Sequence, residues 1–213
     1  MREIWAILLG FSSLLIAPAG SATTPWPHPL IAEAQTALQI TKDDRVLGNA
    51  DAPITIVEYA SMTCPHCAHF ANDVLAEIKK EWIDTGKVKL VLREFPLDEP
   101  ALRAAMVARC APPDKFYPLA DTFFSQQEQW VTARDYRAAL EKLAKLAGIG
   151  DKQFKTCIED KKLEDQIVQS RLTAAQQLGV SSTPSFFVNG QKFEGAPTFE
   201  AFDQLLSGLA AKS

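Results

Sequence analysis

Ile54-Thr55-Ile56-Val57-Glu58-Tyr59-Ala60-Ser61-Met62-Thr63-Cys64-Pro65-His66-Cys67 is the stretch from which the rest of the chain can be read. Its first six residues are dense in β-branched and apolar side chains, the composition of a strand. The chain turns through Ser61-Met62-Thr63 into Cys64, and from Pro65 to about Trp82 the pattern is helical. Phe70, Val74, Ile78 and Trp82 recur at nearly four-residue spacing and make one apolar stripe. Pro65 stands where a helix tolerates proline best, in the first turn. Gly86 closes the unit, and Val88 to Phe95 reads as a second strand. Strand, helix and strand within about forty residues predict a parallel βαβ unit.

Working outward toward the C-terminus, Ala101 to Leu178 is almost entirely helical in pattern. Pro112-Pro113 breaks it once and Gly148-Ile149-Gly150 again. Thr132 is expected to cap a helix through Leu140, Leu143 and Leu146, Asp151 to cap the next, and Gly179 to close the last. The pattern then returns to β. Ser185-Phe186-Phe187-Val188, the turn Asn189-Gly190 and Gln191 to Glu194 form a predicted hairpin, because Asn-Gly supplies the backbone such a turn needs. Thr198 caps a final amphipathic helix with Phe199, Phe202, Leu205 and Leu206 inward. The order is βαβ, a helical block of about eighty residues, then ββα. Neither β-bearing end is large enough to fold alone, so the block reads as an insertion.

Toward the N-terminus, Thr24 to Pro29 is Pro-rich and extended, and Leu30 to Ile40 can form a short helix. Ahead of that, Arg2, an apolar run from Ile4 to Ala17 and small residues through Ala22 read as a cleaved signal peptide. The run is shorter than the ~18 residues of a spanning helix. An uncleaved N-terminal anchor is the alternative. A formal charge of -4 gives no basic footprint for nucleic acid, and three His with three Met are little material for handling metal. Export puts the four cysteines in an oxidising compartment, where an even set suggests disulfides.

Cys64 opens a helix directly after a strand, so its sulfur faces the unpaired N–H groups of the first turn. That setting lowers a thiol pKa, and only the thiolate attacks a disulfide. Cys67, three positions on, shares the helical face and is the deeper, resolving sulfur. His66, when protonated, adds positive charge beside Cys64. All of this stabilises the dithiol form, which makes the disulfide a stronger oxidant. Two alternatives stay open: a zinc half-site, and an inert structural disulfide. His66 and His69 could complete a metal site only by crowding four ligands into one and a half turns of a single helix.

The segment Val57 to Cys67 resembles the active site of the DsbA family of periplasmic dithiol oxidases. Thr183-Pro184 followed by Ser-Phe-Phe-Val-Asn-Gly is similar to that family's cis-proline loop and hairpin. The likeness covers roughly Val46 to Ala210. It implies an α/β thioredoxin-like fold with an inserted all-helical domain. Residues 1–22 would be the signal peptide, 23–50 a lead-in, 51–97 with 180–213 the thioredoxin-like domain, and 98–179 the insertion. Cys64 would attack and Cys67 resolve, with Pro65 and His66 as the tuning dipeptide. Pro184 would be cis beside the sulfurs, with the Thr183 backbone presented to an extended substrate. Glu58 would assist proton transfer near the buried cysteine.

By the same resemblance, the substrates are exported polypeptides carrying cysteine pairs. No metal or other cofactor is expected, and a membrane partner of DsbB type, quinone-linked, would reoxidise a monomeric protein. One departure stands out: Thr183 is typical of the isomerases and of other branches, where the best-known oxidase has an aliphatic residue. An isomerase or reductase fed by a membrane electron donor is therefore the second reading, and a soft-metal binding module using Cys64 and Cys67 the third. Cys110 and Cys157 are expected to bond to each other inside the insertion, apart from turnover. Arg93-Glu94 is read as a structural ion pair, and Phe123, Phe124 and Trp130 as core.

Overall fold

The structure is a computed structural model and describes residues 35–212. The predicted signal peptide and the first five residues of the helix expected over Leu30–Ile40 lie outside the described residues; of the rest, residues 35–37 are helical. A five-stranded sheet organises the chain in the order β1-β3-β2-β4-β5. Its strands are β1 (Val46–Leu47), β2 (Ile54–Ala60), β3 (Val88–Glu94), β4 (Ser185–Val188) and β5 (Gln191–Lys192). β2 and β3 run parallel, with Ile54 opposite Val88 and Glu58 opposite Leu92. β4 joins β2 antiparallel, and β1 joins β3 antiparallel. The sheet therefore begins at Val46, inside the segment read as a lead-in. The hairpin turns at Asn189-Gly190, both with positive φ, and its second strand is shorter than its apolar pattern suggests.

Alternation along the strands assigns two faces. Ile54, Ile56, Val88, Leu90, Leu92, Phe186 and Val188 belong to the larger core. Val57, Tyr59, Val91, Phe95 and Phe187 belong to a second core on the opposite side. The larger face is covered by the helix that follows β2. It runs as α1 (Pro65–His69), a π-helical segment Phe70–Val74, α2 (Leu75–Ile78) and a second π-helical segment Lys79–Ile83. The physical reason is in the repeat. A strict four-residue spacing drifts off one face of an α-helix of 3.6 residues per turn, and the wider π turns hold it in register. Phe70, Val74, Ile78 and Trp82 are all buried as a result.

The insertion contributes α3 (Glu99–Cys110), α4 (Phe116–Ser125), α5 (Gln127–Val131), α6 (Tyr136–Leu146), α7 (Asp151–Glu159) and α8 (Lys161–Gln177), and α9 (Phe199–Ala210) ends the chain. α8 returns to the sheet and sets Ala174 into the second core. Asp135, not Thr132, caps α6 by accepting from Ala138 N at 3.0 Å. Thr132 donates its hydroxyl to Glu128 O instead, closing α5. Gly150 is the residue before α7, so Asp151 is its first helical residue rather than its cap. Arg93 and Glu94 do not pair with each other. As neighbours in a strand they face opposite sides: Arg93 meets Asp44 at 2.9 Å, and Glu94 meets Arg109 at 2.5 Å. Cys110 and Cys157 form a disulfide within the insertion.

Candidate active site

β2 delivers the chain to the edge of the larger core, and Ser61-Met62-Thr63 reverses it so that Cys64 becomes the N-cap of α1. Cys64 keeps extended backbone (φ -79°, ψ 120°), and the N–H groups of Cys67 and Ala68 both reach its carbonyl at 3.1 Å. Pro65 follows without loss, since its missing N–H would have been unpaired there. Both thiols are free, Cys64 at 7% exposure and Cys67 at 0%. Pro65 and His66 are exposed. The Cys64 thiol donates to the Thr183 carbonyl at 3.2 Å, and the Thr183-Pro184 peptide is cis. The cis-proline loop and the two cysteines, more than a hundred residues apart in sequence, thus share one site.

Hydrogen bonding sets the acidity here. The Cys67 thiol donates to Cys64 and is the largest influence holding the Cys64 pKa down, to about 5, against a desolvation that acts the other way. The Thr183 side chain and the N–H groups of Cys67 and His66 add to it. His66 contributes through its backbone. The Thr183 hydroxyl has no partner while Cys64 is a thiol, so ionisation gives it one. Cys67 moves the opposite way: burial, its role as donor to Cys64 and the Glu58 charge all push its pKa up. One sulfur is therefore poised as thiolate while the other keeps its proton.

Glu58 lies on the same strand face as Ile54 and Ile56, the face that α1 covers, at 3% exposure. Desolvation, and after it the negative charge on Cys64, raise its pKa to about 8. Its Oε1 has no hydrogen-bond partner. A neutral carboxyl with a free oxygen beside two thiols can hold and pass a proton.

Three residues that sequence patterns did not single out frame the loop. The Thr63 hydroxyl donates to Asp98 Oδ2 at 2.8 Å, while Asp98 Oδ1 caps α3 through Ala101 N at 2.8 Å. Gln127, from the insertion, donates to the carbonyls of Met62 and Cys64. No periodicity marks such residues; Asp98 ahead of a helix was the one local sign. Beyond Pro184 a groove of about 170 Å³ runs past Ser182, Phe186 and Phe193. A larger cleft of about 430 Å³, between residues 41–45 and α8, is lined by the Arg93–Asp44 and Arg109–Glu94 pairs and includes neither thiol. Those four charges are paired with one another and the cleft holds no thiol, so the thiol site is the better candidate. Among the described residues no group of three His, Cys, Asp or Glu could hold a metal ion.

Comparison with known proteins agrees with this geometry. The family model described as Thioredoxin matches residues 40–207. The crystal structure of Wolbachia pipientis alpha-DsbA1 superposes with a TM-score of 0.79 at 32% identity, covering 84% of this chain and 96% of that one. Chlamydia trachomatis DsbA, at 21% identity, shares the fold with a TM-score of 0.71 over 89% of this chain and 98% of its own. A Rickettsia bellii protein with the provisional name protein-disulfide oxidoreductase is 34% identical over 167 residues, 78% of this chain. The chain spans 64% of that relative's length. Sheet order, helical insertion, paired thiols and these likenesses converge: the chain belongs to the DsbA family of the thioredoxin fold.

Proposed function

We propose that the protein is a thiol:disulfide oxidoreductase that donates a disulfide to exported polypeptides. The observation that carries this reading is the asymmetry of its thiols, Cys64 held down to about 5 and Cys67 pushed up by burial. A stabilised Cys64 thiolate favours the reduced form and so makes the Cys64–Cys67 disulfide oxidising.

In the oxidised protein a substrate thiolate attacks Cys64 Sγ. The Cys64–Cys67 bond breaks, Cys67 leaves with the electron pair, and it takes up a proton, for which Glu58 is the nearby carboxyl. A second substrate thiolate then attacks the substrate sulfur of the mixed disulfide and expels the Cys64 thiolate. The substrate has lost two electrons and gained a disulfide; the protein has gained two electrons and become a dithiol. Pro65 and His66 flank the attacking sulfur on the exposed side, and Thr183 and Pro184 offer the edge along which an extended substrate would lie. In this reading residues 51–97 with 180–213 carry the chemistry and 98–179 frame it. The protein works as a monomer in the periplasm, and a quinone-linked membrane protein of DsbB type reoxidises it.

The test is the equilibrium of Cys64–Cys67 against a glutathione buffer, with Cys110 and Cys157 replaced by Ser. A potential well above the glutathione couple supports the donor. A thioredoxin-like reducing potential overturns it in favour of an electron-fed reductase or isomerase.

A further inference from the structure

Gln127 is a buried amide, 9% exposed, that opens α5 within the insertion, 63 residues after Cys64 in sequence. Its Nε2 lies 2.9 Å from Met62 O and 3.0 Å from Cys64 O. Both partners are carbonyls, which can only accept, so the amide orientation is fixed by chemistry: both N–H groups point into the redox loop. The helix around Gln127 is itself anchored, since Trp130 is buried and donates to Phe123 O at 2.8 Å.

The Cys64 carbonyl is the negative end of a peptide dipole carried by the same residue as the attacking sulfur. It already accepts from Cys67 N and Ala68 N. Gln127 supplies a third donor from outside the helix and fixes the carbonyl two positions earlier as well. Thr63, between those carbonyls, is held in turn by Asp98. We infer that Gln127 is a positioning residue for the thiol–disulfide chemistry, acting from the helical insertion: its amide orients the Ser61–Cys64 loop and neutralises the carbonyl beside the attacking sulfur. The insertion is then part of the redox apparatus rather than only a wall beside it. Loss of the amide leaves the Met62 carbonyl without its donor and the Cys64 carbonyl with only its two helical ones, so more partial negative charge stands next to a thiolate, which favours the thiol.

The inference rests on Cys64 being the attacking cysteine, and its test needs no substrate. The titratable groups facing Cys64 are Glu58 from β2, and Cys67 and His66 from its own first turn, with Asp98 behind Thr63. The thiolate absorbance of the reduced protein is followed against pH for the parent, Gln127→Met, Gln127→Leu and Gln127→Lys. Gln127→Met removes both donors at constant length, and the Cys64 midpoint rises by about one pH unit, a tenfold loss of thiolate. The glutathione equilibrium falls by the same factor toward a more reducing protein. Gln127→Leu, apolar and of similar volume, removes the donors without adding charge, raises the midpoint too and decides the matter if the Met variant does not fold. Gln127→Lys returns N–H donors and brings the midpoint back down. A merely structural Gln127 would lower the stability of oxidised and reduced forms alike and leave the midpoint at the parent value in the Met and Leu variants; that result overturns the inference. A reducing potential in the parent with the midpoint shifts intact would instead sink the donor reading and leave the role of Gln127 standing.

Discussion

At Glu58 a carboxyl is kept neutral by burial and by the charge on Cys64, and this ties protein stability to pH through two residues at once. Unfolded, the carboxyl titrates near 4.5; folded, near 8. Between those values the unfolded chain loses the proton and the folded one keeps it, so stability falls as pH rises. Cys64 does the reverse. Its thiol titrates near 9 when unfolded and near 5 when folded, so its contribution is complete above 9 and is lost as pH falls toward 5. In the reduced protein the two slopes oppose each other from about pH 5 to 8. We predict a nearly level urea stability across that range in the reduced parent. Reduced Glu58→Gln should instead climb steadily, by up to ~1.4 kcal/mol per pH unit. The oxidised parent, without a Cys64 titration, should fall. If the Gln variant tracks the reduced parent, Glu58 is ionised in the folded state and the argument fails. Cys64 was legible from the motif spacing and the buried place of Glu58 from the strand pattern, while the role expected of Glu58 came from the family resemblance. Gln127 was not legible, since its contacts span 63–65 residues of chain and leave no local pattern, and Asp98 showed only its place ahead of a helix, its contact with Thr63 spanning 35.

Among the elements, the turn that brings β1 onto the sheet shows how far local chemistry reaches. Gly48 has φ +97°, a region closed to most side chains, and a Cβ there would sit 2.6 Å from Ile83 Cγ2 and 3.1 Å from Val88 O. Both the backbone and the close approach of the second π-helical segment require glycine. Gly48→Ala should therefore cost about 2–3 kcal/mol, from left-handed strain plus overpacking. In thermal unfolding that is a fall in Tm of about 5–10 °C. A Tm equal to the parent's would mean that the turn relaxes freely and that β1 is not held by it. The sequence pattern located β2, β3, β4 and the last helix well, because each combines a period with a punctuating residue. It missed β1, which is two residues long and too short to show a period. It also placed the α6 cap at Thr132, since a hydroxyl ahead of an apolar run looks the same whether it caps the next helix or closes the previous one. The π turns were present in the four-residue repeat of Phe70, Val74, Ile78 and Trp82, and only the convention of reading any such repeat as α-helical hid them.

For the molecule as a whole, the long crossing from β3 to β4 raises the question of what keeps about ninety residues of helix aligned with a site made of three short segments. Three ties run back from the insertion: Asp98 at the start of α3 and Gln127 at the start of α5 reach the thiol loop, and α8 packs on the opposite face of the sheet. A fourth lies within the insertion. Cys110 ends α3 and Cys157 sits wholly buried in α7, and the bond between them spans 47 residues of sequence, enclosing α4, α5 and α6. Arg109, next to Cys110, is paired with Glu94 at the end of β3, so the bond fastens the insertion close to where it leaves the sheet. On the chain-entropy estimate, closing such a loop stabilises by ~4 kcal/mol. Replacing both cysteines by Ser should lower Tm by roughly 8–16 °C, while oxidation of a peptide dithiol by the still-folded variant stays within about twofold of the parent, because the ties at Asp98 and Gln127 are untouched. Near-UV circular dichroism establishes that the variant is folded before the rate is measured. A folded variant with its exchange activity abolished would show that the bond acts in turnover; a folded variant with an unchanged Tm would show that the other three ties alone fix the insertion.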